Sequence, residues 1–105
     1  MKGIDKNERI ERIVKKVYDR KHETTSDLLE SSHDLLRAAE LVETRQDHVT
    51  VWNVKVHILR MVNDAFETGY FTDISYDELR NAKWLLSEVE LKAGYQAMRT
   101  YASQK

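Results

Sequence analysis

The chain has no cysteine and no proline, and only three glycines among its 105 residues. Without cysteine there is no disulfide, no thiolate metal site and no thiol nucleophile, and the composition fits a reducing compartment. Without proline nothing in the sequence forces a helix to kink or stop, which suits long helices. No run approaches the roughly 18 apolar residues that a membrane span needs. The opening stretch MKGIDKNERIER is charged and has no apolar centre, so it does not read as a secretory signal. The location expected from these absences is the cytoplasm.

What is present is globular in character, with 41% hydrophobic and 33% charged residues. That balance separates the chain from disordered sequences and favours one domain over residues 1–105. Net charge is −1, so there is no bulk attraction to nucleic acid or to a membrane surface. The charge is nevertheless unevenly spread. Residues 1–22 carry eight Lys/Arg against four Asp/Glu, and residues 23–47 carry two against seven. A basic first helix lying against an acidic second helix is the simplest way to use this asymmetry.

The organising stretch is Val49 to Phe66. At about 100° per residue, one seam holds Val51, Val54, Ile58, Met61, Val62 and Ala65, and a neighbouring seam holds Trp52, Val56, Leu59 and Phe66. Several of these residues are β-branched and part of the run alternates as a strand would. The apolar pattern nevertheless continues over a helical length, and Gly69 is placed to cap its end. A helix this apolar needs neighbours on two or three sides. The expected fold is all-α, a small antiparallel four-helix bundle with the third helix, about residues 49–68, central.

The other three helices follow from periodicity and caps. Residues 5–22 place Ile10, Ile13, Val14 and Val17 on one face, with Asp5/Arg9, Glu8/Arg12 and Glu11/Lys15 as i,i+4 pairs. Thr24-Thr25-Ser26 is a break, because hydroxyl side chains favour caps over helix interiors. A second helix then runs from about Asp27 to Arg45 on Leu28, Leu35, Ala39 and Val42, with Gln46-Asp47-His48 as the next turn and Asp47 as a cap. Ser75 and Glu78 form a capping box, flanked by Ile74 and Leu79 as a staple, so a last helix runs from Tyr76 to about Tyr101.

No constellation in the sequence carries chemistry. Asp19-x-x-His22 and Glu30-x-x-His33 have the spacing of a bundle metal ligand pair, but both lie off the apolar faces, whereas bundle ligands must project inward. Glu40-x-x-Glu43 and Asp64-x-x-Glu67 fall at opposite ends of their hairpin, too far apart to share a magnesium ion. There is no Gly-x-Ser-x-Gly elbow and no glycine-rich phosphate loop. Hence no catalytic residue, metal, cofactor or small-molecule substrate is expected.

Two surface features remain. Arg9, Arg12, Lys16 and Arg20 form a basic stripe on the first helix, a candidate contact for phosphate or an acidic partner. The last helix has a core seam of Leu79, Ala82, Leu86, Val89, Ala93 and Ala97. It also has a second apolar stripe, Trp84, Leu91, Tyr95 and Met98, well around its circumference. Trp, Tyr and Met are types enriched at interfaces. The functional expectation is a non-catalytic protein-interaction module of the adaptor or inhibitor type, binding another protein or a second copy through that stripe. Small cysteine-free helical proteins, phage-encoded ones among them, often work this way, an argument by analogy. The competing expectation is nucleic-acid binding through the first helix.

Overall fold

Each helix starts where a short polar side chain takes up N–H groups that the first turn leaves unbonded. In the computed structural model, which describes residues 5–68 and 74–103 and side chains through residue 100, there are four helices. They are α1 (Lys6–Asp19), α2 (Thr25–Glu40), α3 (Arg45–Thr68) and α4 (Tyr76–Ser103). Asp5 caps α1 by accepting the Glu8 N–H at 2.8 Å. Thr24 and Asp27 form a full capping box at the start of α2. Thr44 and Asp47 repeat it at α3: the Asp47 N–H donates to Thr44 Oγ1, and Asp47 Oδ2 accepts the Thr44 N–H.

These caps move two of the expected boundaries. α2 starts at Thr25, two residues before Asp27, and it ends at Glu40, not Arg45. The turn lies at residues 41–44, not at Gln46-Asp47-His48, which are already helical. Asp47 is thus the acidic arm of the capping box, inside the first turn of α3. α1 stops at Asp19 because Arg20 turns to extended backbone and its side chain crosses to α2. The segment with strand-like alternation is helical throughout. Gly69 lies outside the described residues.

At α4 the expected start at Tyr76 is observed, but the box is completed from another helix. Ser75 Oγ accepts the Glu78 N–H at 3.3 Å. Glu78 does not return to the Ser75 N–H; Thr25 Oγ1 accepts that N–H at 3.1 Å and donates to Glu78 Oε1 at 2.9 Å. One hydroxyl at the start of α2 therefore ties down the start of α4.

The same pair of helices is linked near its other end, where Gln96 Nε2 donates to the Glu40 carbonyl at 2.8 Å. α2 and α4 therefore run in the same direction, and theirs is the most extensive helix contact. Alanines on both helices, Ala38 and Ala39 of α2 and Ala82 and Ala93 of α4, are fully or nearly fully buried, and such small side chains let backbones approach. α3 lies against α4 in the opposite sense: Phe66 stacks on Tyr76, while Lys55 reaches Glu90. Both α2 and α3 touch the three other helices, so the central role is shared. Among the described residues the α1 and α4 backbones do not pack against each other. The core gathers Ile10 and Val17 from α1 with Leu28, Leu35, Val51, Val54, Ile58, Val62, Leu79, Leu86 and Val89. Among the described residues no helix is long and apolar enough to cross a membrane.

Charge asymmetry is used as the sequence suggests. Lys6 pairs with Glu43, Lys16 with Asp34, and Arg20 with both Glu30 and Asp34, all across from α1 to α2 or its following turn. Within α1, Lys15 pairs with Asp19 at 2.9 Å, not with Glu11.

Candidate functional site

Among the described residues most buried polar groups link one helix or turn to another, while Ser32 bonds the Leu28 carbonyl of its own helix. At the α1–α2 connection, Arg20 Nη1 donates to Ser31 Oγ at 2.7 Å and Nη2 donates to Asp34 Oδ2 at 2.9 Å. His22 Nε2 lies 2.7 Å from the same Ser31 oxygen. A serine hydroxyl beside an imidazole has the outline of a nucleophile and base. Ser31, however, has no exposed surface, so no substrate atom reaches it. Burial holds the His22 imidazole below its ordinary value, and the neighbouring Arg20 charge adds to the effect. The imidazole is accordingly neutral at neutral pH. This cluster closes the hairpin.

The carboxylates do not converge. Among the described residues no group of three or more His, Asp or Glu is arranged to hold a metal ion. His33 and Glu30 instead line an open hollow with Lys16, Ser26 and Arg37.

The basic stripe of α1 is divided. Arg20 is only 13% exposed and is bound to Asp34, and Lys16 lies 3.8 Å from the same carboxylate. These two are structural cations facing α2. Arg9 and Arg12 make no ion pair among the described residues; with Ile13 and with Arg37, Glu40 and Leu41 of the second helix and its end they line one groove. Arg37 joins them only through the fold and is not part of the stripe visible in the sequence.

The outer stripe of α4 is the feature that stands free. Trp84, Leu91, Tyr95 and Met98 are 63%, 67%, 60% and 72% exposed. The inner seam of the same helix, Leu79, Ala82, Leu86, Val89 and Ala93, is at most 2% exposed. The two seams lie on opposite sides of the helix, and α2 and α3 occupy only the inner one. From Trp84 to Met98 the outer stripe runs about 21 Å, at roughly 1.5 Å per residue. Arg99 lies over the Tyr95 ring, 5.9 Å from its centroid.

α3 also exposes apolar side chains. Trp52 and Val49 are 40% and 44% exposed, so Trp52 is not part of the buried seam that its spacing suggested. Its ring carries the Lys55 ammonium at 3.7 Å, and Lys55 reaches across to Glu90 at 3.1 Å. Since α3 and α4 run oppositely, one turn back from Lys55 meets one turn on from Glu90. Trp52 lies about one turn back along α3 from the Lys55–Glu90 bridge. The sequence carried a signal for this in the polar neighbours of Trp52, Asn53 and Lys55, which interrupt the apolar seam. No family model, no curated protein and no solved structure matches the chain.

Proposed function

We propose that this chain is a non-catalytic protein-interaction module, of the adaptor or inhibitor type and cytoplasmic, that docks another protein on the outer seam of α4. One observation carries the reading: four large apolar side chains over five turns, with Glu88 between the first and second, stand 60–72% exposed on the face opposite the core. Single exposed apolar residues are ordinary, but a contiguous apolar face on a soluble domain marks an interaction site or an aggregation liability. Trp84 and Tyr95 are its natural anchors, because a few aromatic residues usually carry most of the binding energy of an interface.

The test separates docking from folding. Tyr95→Glu is expected to leave helix content and the melting temperature of the isolated chain within experimental error, since the ring lies outside the core, while abolishing capture of the partner. Unfolding of the mutant would instead make the stripe part of the core.

A second reading has its own observation, the groove shared by Arg9, Arg12 and Arg37. Such a groove suits phosphate, and nucleic-acid binding through it would show as a steep salt dependence. It is the weaker reading because Lys16 and Arg20 already serve Asp34. The remaining track is short, and Glu40 interrupts it.

A further inference from the structure

We infer that the α1–α2 hairpin is an acid-sensitive latch, in which a proton on His22 releases the C-terminal end of α1 from α2. The reason is where the hydrogens at Ser31 go. Among the described residues Ser31 Oγ has two partners within hydrogen-bond distance, Arg20 Nη1 at 2.7 Å and His22 Nε2 at 2.7 Å. A guanidinium only donates, so Arg20 occupies a lone pair of the oxygen. The hydroxyl's own hydrogen is left with one acceptor, His22 Nε2. That bond exists only while Nε2 is bare and the ring carries its hydrogen on Nδ1.

A second proton on the ring undoes the arrangement. His22 Nε2 and Arg20 Nη1 would then both donate to one oxygen, and the Ser31 hydrogen would have no acceptor. Ser31 has no exposed surface, so water does not replace the lost partner, and an unsatisfied buried donor is unfavourable. The imidazolium would also stand beside the guanidinium, two like charges sharing one hydroxyl.

The neighbouring charges do not offset this. On α2, Asp27 faces the ring, but its Oδ2 already accepts the Glu23 and Thr24 N–H groups. Glu30 and Asp34 are bound to Arg20. On α3, His57 faces the same ring and is in ring contact with Tyr18 of α1. A proton on His57 adds a further positive charge there. On α4, Glu78 reaches the start of α2 but is hydrogen-bonded to Thr25. Lys21 and Glu23, on either side of His22 in the chain, are exposed and of opposite sign.

Burial, and then the Arg20 charge, hold the folded imidazole below its ordinary value of 6.5. The unfolded chain therefore takes up the proton first as pH falls below that value. Stability is lost from there downward until the folded ring itself titrates. The loss falls on one end of α1. There the polar ties of the helix to α2 are those of Lys16, Arg20 and His22. The other end is held separately, by Asn7 on Asp47 and Lys6 on Glu43. Val17, fully buried in the last turn of α1, is the core residue that an open latch exposes.

The experiment uses the whole chain. The His22 ring is followed by NMR from about pH 7 to about pH 5, across the ordinary histidine range. Amide exchange, corrected for its intrinsic rate, is compared at the two ends of that range. The Nδ1–H tautomer is expected at neutral pH, with titration below the ordinary value. On acidification the last turn of α1 should lose protection while α4 keeps it. His22→Gln, whose side-chain carbonyl can accept from Ser31 at either pH, should keep α1 protected and lose less melting temperature than wild type. His33, His48 and His57 are common to both chains and cancel in this comparison. An Nε2–H tautomer, or titration at or above the ordinary value, would overturn the latch on the wild-type chain alone. Parallel pH–stability curves of the two chains, or equal loosening of all four helices, would overturn it as well.

Discussion

Asp34→Ala is expected to destabilise the fold by about 3–5 kcal/mol, the usual cost of removing one partner of a buried ion pair. Asp34 is 7% exposed in its side chain and Arg20 13%, and they meet at 2.9 Å. The guanidinium keeps Ser31 at 2.7 Å but loses its buried counter-charge, and Glu30, at 3.4 Å, is itself 60% exposed and a poor substitute. Lys16 and Arg37, at 3.8 and 3.9 Å from Asp34, lose a carboxylate as well. For a domain whose total stability is about 5–15 kcal/mol this is a large share. The melting temperature should fall by roughly 12 °C or more. The double substitution Arg20→Met, Asp34→Leu should recover much of the loss, because apolar residues of similar volume often replace such a pair without cost. Single variants that both melt within a few degrees of wild type would show that the pair is not what holds α1 on α2.

Asp47→Ala should cost about 2–4 kcal/mol, combining a lost helix cap with donors left unbonded. The Asp47 residue is 3% exposed. Its Oδ1 accepts from Asn7 Nδ2 at 2.8 Å, and its Oδ2 accepts the Glu43 and Thr44 N–H groups at 3.2 Å each. One side chain thus joins the start of α1, the turn after α2 and the first turn of α3. Burial alone would raise its pKa; the hydrogen bond from Asn7 and those from Glu43 and Thr44 outweigh it and hold the carboxyl below the ordinary aspartate value. A depressed native pKa stabilises the fold above the unfolded-state value of about 4, and that share is lost as pH falls through the native value. Wild type should therefore lose more stability than Asp47→Asn on acidification below about pH 4. Parallel pH–stability curves for the two would remove the cap from this role.

Which parts of this were legible beforehand follows from how local each determinant is. The helical identity of residues 49–66 and the start of α4 depend on periodicity and on neighbours three residues apart, and both are observed. The α2–α3 boundary was misplaced because Leu41 and Val42 continue the apolar spacing after the helix has ended. Val42 remains buried at 3% in the turn, so spacing alone could not reveal the break. Thr44-x-x-Asp47 was the missed signal, with aspartate in the place where glutamate is usually sought. The exposed state of Trp84, Leu91, Tyr95 and Met98 depends on something no single helix encodes. Two apolar stripes on α4 can be read from its sequence, but the outer one stays open only because α1 packs on α2 and α3 and away from α4. Register likewise decides that Arg20 and Lys16 serve Asp34 while Arg9 and Arg12 turn to a groove with Arg37.

The central claim is that the outer seam of α4 is where this chain meets its partner. A photoreactive side chain placed one at a time at Trp84, Leu91, Tyr95 and Met98, with Glu11, Asn53 and Asp64 as exposed controls, tests it most directly in the native cell. The account predicts one protein adduct of the same mass from the four seam positions, distinct from twice the mass of the chain, and none from the controls. Adducts from α1 or α3 controls with none from the seam would contradict it.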